Sequence, residues 1–136
     1  MKMNDSTSVI ICATAKGALS KESWIMVLHN ERGWELPGGK LLEGEVPETG
    51  AVREFMEETG MVSTLIHSTS TLVEGSFVFL AETGCGDSIQ EWCSSDPAIE
   101  LVKWHKSIPV NLAWPQDELI SILKYFEIGF THGESQ

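Results

Sequence analysis

The chain has 136 residues, of which 42% are hydrophobic, and it carries a formal net charge of −11. This length and composition favour a single domain over residues 1–136 and exclude an intrinsically disordered chain. The acidity argues against a nucleic-acid-binding surface, because contacts with phosphates require basic residues. No segment is long and apolar enough to span a membrane, and residues 1–17 lack the layout of a signal peptide.

Hydrophobic runs predict four strands along the chain, at residues 7–14, 24–29, 77–81 (within the segment 71–82) and 99–105. A loop is expected at residues 83–87. Apolar residues at helical spacing predict a C-terminal helix over residues 116–130, and the tail 131–136 should fray. Strands combined with two helices indicate an α/β sandwich.

The other predicted helix spans residues 47–59. Pro47 suits the first turn, where its missing N–H is no loss, and Gly60 suits the left-handed residue that ends a helix. One stripe of this helix is apolar and is expected to face the core. It consists of Ala51, Val52, Phe55 and Met56.

The opposite face of this helix concentrates negative charge. Glu54, Glu57 and Glu58 are three or four residues apart and share that face, while Arg53 can neutralise only part of the cluster. Glu45 lies just before the helix. Like charges at this spacing cost stability, and carboxylate oxygens suit a hard divalent cation, so the pattern predicts a site for Mg²⁺, with Mn²⁺ as an alternative.

A glycine-containing loop precedes the acidic helix. The segment from Trp34 to Gly39 ends in Gly38 and Gly39, which allow the backbone to approach a ligand closely. A carbonyl of this loop could serve as a further metal ligand. The three cysteines (Cys12, Cys85 and Cys93) and the four histidines lack metal-site spacing, so we expect plain thiols and a cytoplasmic location.

These residues together resemble the Nudix box, G-x5-E-x7-R-E-U-x-E-E-x-G-U, where U is apolar. Every specified position matches: Gly39, Glu45, Arg53, Glu54, Phe55, Glu57, Glu58, Gly60 and Met61. The resemblance to MutT-like Nudix hydrolases implies an α/β/α sandwich with a mixed central sheet. It also implies hydrolysis of a nucleoside diphosphate linked to another group.

The resemblance also implies roles for individual residues. Glu57 and Glu58 would be the main metal ligands, Glu54 a ligand or the base that activates water, and the Gly38 carbonyl a further ligand. Arg53 would orient the glutamates, and Glu45 would support them or act as an outer ligand. Family members often use one more acidic residue beyond the box. The candidates are Asp87, Glu91, Asp96 and Glu100; Glu100 is preferred because Trp104 follows it.

Substrate preference must come from outside the box. Trp114-Pro115-Gln116-Asp117 resembles the Trp-Pro-Asp-Asp segment of a mammalian family member that hydrolyses oxidised purine nucleoside triphosphates. By that resemblance Trp114 would stack on the base and Asp117 would hydrogen-bond to its edge, although Gln116 departs from the pattern. Alternatively, Trp114 packs in the protein and Asp117 starts the helix. Gly39 and Trp34 are further candidates for substrate contact, and Trp92 is a weaker one.

Three functions stay open at this point. The preferred one is a Mg²⁺-dependent pyrophosphohydrolase that converts nucleoside triphosphates, purine or oxidised purine, to monophosphate and pyrophosphate. The second is a hydrolase of nucleoside diphosphate sugars, and the third is a nucleotide-sensing module without activity. In each case the partner is a small nucleotide, and homodimer formation is compatible with the resemblance.

Overall fold

The computed structural model describes residues 7–84 and 90–132, and these residues form ten strands and two helices. The helices are α1 (Pro47–Thr59) and α2 (Gln116–Tyr125). The strands are β1 (Ser8–Ala15), β2 (Trp24–His29), β3 (Gly33–Glu35), β4 (Gly38–Lys40), β5 (Ser63–Thr69), β6 (Ser76–Thr83), β7 (Glu91–Trp92), β8 (Ile99–His105), β9 (Ser107–Ile108) and β10 (Thr131–His132).

Most strands belong to two four-stranded sheets. The first is mixed, with the order β4-β1-β6-β5: β1 runs parallel to β6 and antiparallel to β4. The second is antiparallel, with the order β3-β2-β8-β7. The predicted mixed sheet is therefore present, but it is accompanied by a second sheet. Sequence patterns could not separate the two, because hydrophobic runs do not encode strand partners.

The strands are buried on both faces because a helix covers each face. Successive residues of β1 alternate between two cores, as the two-residue period of a strand requires. The α1-side core contains Val9, Ile11, Ala13, Ile25, Val27, Ala51, Phe55, Phe79 and Val102 among others. The α2-side core contains Ile10, Cys12, Trp24, Met26, Val78, Leu80, Leu119, Ile122 and Leu123 among others. This arrangement confirms the predicted α/β/α sandwich.

The four predicted strands are confirmed as β1, β2, β6 and β8, with bounds that differ by at most a few residues. The longest strand that was not predicted is β5. Its side chains beyond Leu65 are mostly exposed, so its sequence carries no hydrophobic run. It forms because its backbone pairs with β6 at the edge of the mixed sheet.

The C-terminal helix is shorter than predicted. It ends at Tyr125, and Glu127 adopts a left-handed φ of 60°, after which the chain is no longer helical. Phe126 is nevertheless buried in the α2-side core and Phe130 packs against that core, which explains why their spacing suggested a longer helix. Thr131 and His132, which were expected to fray, pair with β9 instead. Within residues 7–84 and 90–132, neither helix has the length and apolarity needed to cross a membrane.

Candidate active site

Helix α1 begins and ends where its sequence predicted. Val46 is extended, with φ −78° and ψ 151°, and Pro47 occupies the first turn. Gly60 has a φ of 78° and its N–H donates to the carbonyl of Met56. This left-handed glycine closes the helix and fixes the rotation of α1 over the strands, and therefore the direction of its glutamates.

The buried stripe of α1 differs from the prediction. Ala51 and Phe55 are fully buried as expected, but Val52 is only half-buried and Met56 is 40% exposed. The helix is rotated so that Glu58 and Thr59 are buried in their place. Sequence periodicity could not reveal this, because it assigns charged residues to the solvent face.

Arg53 connects three of the glutamates. Its Nε and Nη2 donate to both carboxylate oxygens of Glu45, at 2.7 and 2.9 Å. Its Nη1 lies 3.2 Å from an oxygen of Glu54 and 3.2 Å from an oxygen of Glu57. The bidentate contact holds the pKa of Glu45 at about 2, well below its usual value, so Glu45 is a fixed anion that anchors Arg53.

Glu58 has a different environment. Its side chain is buried, and Oε1 accepts the N–H of Gly38 at 3.1 Å. Burial raises the pKa of the Glu58 carboxyl to about 8, and the negative charges of Glu54, Glu35 and Asp96 add to this effect. In the described part of the chain no lysine or arginine forms an ion pair with Glu58. A bound cation would supply the missing countercharge.

Glu54 completes the pair of carboxylates beside the glycines. A Cβ placed on Gly39 would lie 2.6 Å from the Glu54 carboxyl carbon and oxygens, so the carboxyl lies directly against the Gly39 backbone and would have to move if another residue replaced the glycine. Burial raises the pKa of Glu54, while Arg53 opposes that shift. Strand β4 pairs with β1 through Gly38 and Gly39, and this pairing sets the distance between the glycine backbone and α1.

The donor set fits a hard divalent cation. Glu54 and Glu58 reach the Gly38–Gly39 backbone, while Glu57 is 54% exposed and points toward Arg53. Among the described residues, no three acidic, histidine or cysteine side chains converge on a single point. Mg²⁺ typically takes only one or two carboxylates and completes its shell with water and phosphate oxygens, which agrees with this geometry.

The acidic candidates beyond the box differ in their surroundings. Asp96 lies in the loop before β8, close enough to Glu58 to raise the pKa of that carboxyl. Its Oδ1 accepts the N–H of Ala98 at 2.9 Å, which fixes its orientation. Glu100 is exposed on β8. Its role stays a prediction, and Asp96 is the alternative near the glutamates; Asp87 lies outside the described residues.

A cavity of about 270 Å³ opens beside the two glycines. The polar and aromatic residues that line it are Ser8, Arg32, Glu35, Gly38, Gly39 and Trp114. A second cavity of about 350 Å³ is lined by Trp114 together with Gln116 and His132. Trp114 therefore lines both the cavity beside the two glycines and a pocket large enough for part of a nucleotide.

The position of Trp114 depends on a backbone contact far from it in sequence. The N–H of Trp34 donates to the carbonyl of Asn111 at 2.7 Å, and the N–H of Ala113 donates to the carbonyl of Trp34 at 2.8 Å. Gly33 permits this approach, because a Cβ there would lie 2.6 Å from the Asn111 carbonyl oxygen. Segment 111–113 is thus fastened to β3, and it carries Trp114 to the cavity.

Three aromatic and acidic candidates lie elsewhere. The ring of Trp34 packs edge-on against His105, with 4.5 Å between ring centroids, and it lines neither described cavity. Asp117 is exposed in the first turn of α2 and also lines neither, whereas Gln116 does. The Nε1 of Trp92 donates to the carbonyl of Thr59 at 2.7 Å, so Trp92 supports the end of α1.

Sequence reasoning missed Arg32, Glu35 and His132 at these cavities. Arg32 and Glu35 lie on either side of Gly33 and Trp34, in a segment too short to show a hydrophobic period. The sequence signal that could have indicated Glu35 was its closeness to the two glycines. His132 could not be found, because only the pairing of β10 with β9 brings it to Gln116, with 3.4 Å between Nε2 and Nδ1.

Comparison with known proteins agrees with this geometry. YtkD of Bacillus subtilis strain 168, named as a candidate 8-oxo-dGTP diphosphatase, is 49% identical over 37 residues, which cover 27% of this chain and 23% of YtkD. A MutT-like protein of Streptomyces ambofaciens is 64% identical over 28 residues, covering 21% of this chain and 18% of that protein. The matched segments thus span less than a quarter of either relative.

The structural and family comparisons cover far more of the chain. A crystal structure of a NUDIX-family hydrolase from Clostridium perfringens superposes with a TM-score of 0.64 at 17% identity, covering 92% of this chain and 98% of that one. The fold is therefore that of Nudix hydrolases, which act on pyrophosphate bonds. The family model described as NUDIX domain matches residues 3–119, so this chain belongs to the NUDIX domain family.

Proposed function

We propose that this protein is a Mg²⁺-dependent nucleotide pyrophosphohydrolase that converts nucleoside triphosphates to a nucleoside monophosphate and pyrophosphate. One observation carries the proposal: the buried carboxyl of Glu58 accepts the Gly38 N–H, Glu54 lies against Gly39, and both glycines line a cavity that Trp114 also lines. The two carboxylates lack enough countercharge, so a metal bound to them would match the phosphate end of a nucleotide. The aromatic ring of Trp114 would match the base end.

Glu54, Glu57 and Glu58 would hold the metal, with Mn²⁺ able to replace Mg²⁺ and the Gly38 carbonyl as a further donor. The metal would offset charge on the phosphate oxygens and polarise the water that reacts. Arg53 and Glu45 would keep the glutamates in place, since Arg53 bonds three of the four box carboxylates. If the glutamates were displaced only slightly, the reacting water would lose its alignment for in-line attack.

The chemical step is attack of water on a phosphorus of the triphosphate. A P–O bond to the water oxygen forms, the bridging P–O bond breaks, and pyrophosphate leaves. A carboxylate accepts the proton of the water. Glu54 is one candidate for this base, and Asp96 and Glu100 are the others. Asp96→Asn and Glu100→Gln, compared side by side, should identify which of the latter two lowers kcat.

The base would stack on Trp114, which lines both cavities. Stacking of a base on an aromatic side chain contributes about 1–3 kcal/mol in nucleic-acid-binding proteins. Asp117 was predicted to read the base edge, but Gln116 is the residue of that segment that lines the cavity. We therefore propose a purine or oxidised purine as the base, in agreement with the name of YtkD, and a cytoplasmic location.

The decisive test is hydrolysis of a panel of substrates with Mg²⁺ or with EDTA, with the products separated by ion-exchange chromatography. The panel contains normal and oxidised nucleoside triphosphates, nucleoside diphosphate sugars, ADP-ribose and dinucleoside polyphosphates. We expect Mg²⁺-dependent formation of nucleoside monophosphate and pyrophosphate from a purine triphosphate, and a KM raised about tenfold in Trp114→Ala. Activity on diphosphate sugars alone would reject the triphosphate assignment. Binding without turnover across the whole panel would indicate a sensing module.

A further inference from the structure

Arg32 and Glu35 form a bidentate ion pair beside the proposed active site. The Nε of Arg32 lies 3.1 Å from Oε1 of Glu35, and its Nη2 lies 2.8 Å from Oε2. The Arg32 side chain is 57% exposed, while the Glu35 side chain is only 10% exposed. A guanidinium has five N–H donors, so this pair leaves three of them, including both on Nη1, available for another partner.

The location of this pair is informative. Both residues line the cavity that contains Gly38, Gly39 and Trp114, and Arg32 is the only cationic residue among the described residues that line it. The hydrogen bonds to Glu35 are the main cause that raises the pKa of Arg32, and the negative charge of Glu58 adds to it, so the guanidinium is within electrostatic reach of the buried carboxyl. The guanidinium therefore lies at the place where a phosphate chain held near Glu58 would extend.

The backbone fixes the direction of Arg32. Gly33, the next residue, has a φ of 110°, and the following N–H of Trp34 is bonded to the Asn111 carbonyl. A residue with a side chain at position 33 would collide with Asn111. Arg32 is thus attached to a constrained turn and restrained at its tip by Glu35, so an anion would find it already oriented, at a lower entropic cost.

We propose that Arg32 binds the phosphate chain of the substrate and that Glu35 is a positioning residue that orients it. This inference rests on the proposed function, which supplies an anionic substrate at this cavity. Arg32 also supplies the countercharge of the buried Glu35 carboxylate, and this role uses only two of its five N–H donors. The phosphate chain carries several negative charges, and a guanidinium with free N–H donors binds such charges through charge-assisted hydrogen bonds.

The test uses steady-state kinetics of Arg32→Gln, Arg32→Lys and Glu35→Gln with the best triphosphate of the panel. We expect Arg32→Gln to raise KM about tenfold or more with a much smaller change in kcat, since it removes a charge-assisted contact. Arg32→Lys should recover part of the loss because it keeps the charge but not the planar fork. Glu35→Gln should give an intermediate KM. The double variant that combines Arg32→Lys with Glu35→Gln should have the same KM as Arg32→Lys alone.

The matched control is Lys16→Gln, which removes a positive charge at the far end of β1. Lys16 is about 20 Å from Ser8–Ile10 at the strand rise of about 3.3 Å per residue, and it should leave KM unchanged. An unchanged KM in Arg32→Gln, with an unchanged Tm, would overturn the proposal. The proposal would also be overturned if Arg32→Gln weakened inhibition by the unphosphorylated nucleoside as much as it raised KM, because Arg32 would then contact the base.

Calorimetric binding of magnesium pyrophosphate separates this inference from the proposed function. If the wild-type protein binds magnesium pyrophosphate but hydrolyses no triphosphate, the proposed function fails. The role of Arg32 still stands if Arg32→Gln weakens that binding about tenfold. Equal binding by wild type and Arg32→Gln would reject the role of Arg32 even where the hydrolytic activity is confirmed.

Discussion

The two helices cover opposite faces of the same strands, but they use their buried positions differently. Helix α2 buries Leu119, Ile122 and Leu123, which are all apolar. Helix α1 buries Ala51 and Phe55 together with the carboxyl of Glu58. A position that could have held another leucine therefore holds an acid whose charge is disfavoured there. Under the function proposed above, α2 contributes mainly stability, while α1 gives up stability to present a ligand-binding group.

Each side of the strands also contains one buried titratable group with a shifted pKa. On the α1 side burial raises the pKa of Glu58 to about 8. On the α2 side burial lowers the pKa of His105 to about 4, and its Nδ1 lies 3.1 Å from the carbonyl of Lys103. His105 packs against Trp34 and lines neither described cavity, so its shift reflects packing. Glu58 lies next to the glycines of the site.

The largest effect should come from the α1 carboxylates. Glu58→Gln and Glu57→Gln should each lower kcat by about 100-fold or more, since each removes a carboxylate that would hold the metal, and the metal would offset charge on the reacting phosphates. Initial rates with saturating Mg²⁺ and triphosphate measure this. Glu48→Gln is the matched control, because Glu48 is an exposed glutamate in the first turn of the same helix. Near-normal turnover in Glu57→Gln and Glu58→Gln would remove the metal-site assignment.

Substitutions on the α2 side should change the stability of the protein rather than its catalytic rate. Leu119→Ala removes a fully buried side chain and should lower the free energy of unfolding by about 3 kcal/mol, without changing kcat of the folded protein. Urea denaturation measures the first quantity. Leu19→Ala, at a fully exposed leucine, is the matched control and should change the free energy of unfolding by less than about 0.5 kcal/mol. A large loss of kcat in Leu119→Ala would contradict the division of roles.

His105 should make the protein less stable in mild acid. Its folded pKa of about 4 lies below its ordinary value of 6.5, so the unfolded chain binds more protons between these values and stability rises with pH there. Relative to His105→Phe, the wild type should lose about 2 kcal/mol between pH 7 and pH 5. Denaturation curves of both proteins across that range measure the difference, and parallel pH profiles would show that His105 is not held neutral.

The smallest effect should be a gain in stability. Without metal at neutral pH, Glu58→Gln should raise the free energy of unfolding by roughly 1–2 kcal/mol. Burial makes the Glu58 carboxyl take up a proton on folding, whereas glutamine is neutral in both states and keeps an oxygen for the Gly38 N–H. Glu57→Gln should show no such gain, since the Glu57 side chain is 54% exposed. Added Mg²⁺ should stabilise the wild type more than Glu58→Gln. If Glu58→Gln is less stable than wild type in EDTA, Glu58 contributes to folding.

The most local features were the most predictable. The bounds of α1 were confirmed because Pro47 and Gly60 act on their own turns of the helix. The predicted C-terminal end of α2 was wrong, because Phe126 and Phe130 are apolar residues at helical spacing that follow the end of the helix. The burial of Glu58 in place of Met56 was also missed. A prediction from hydrophobic periodicity places every glutamate on the exposed face, so it gave the wrong orientation of α1 against the core.

The sequence by itself determined the family, the acidic helix and the residues that could hold a metal, because these depend on fixed spacings along one stretch of chain. Only the tertiary structure decided which carboxyl is buried, which acidic residue outside the box approaches it, and that Arg32 and Trp114 share a cavity with Gly38 and Gly39. Those relations come from strand pairing and from the contact of segment 111–113 with β3. Such contacts join residues far apart in sequence, so no local pattern encodes them.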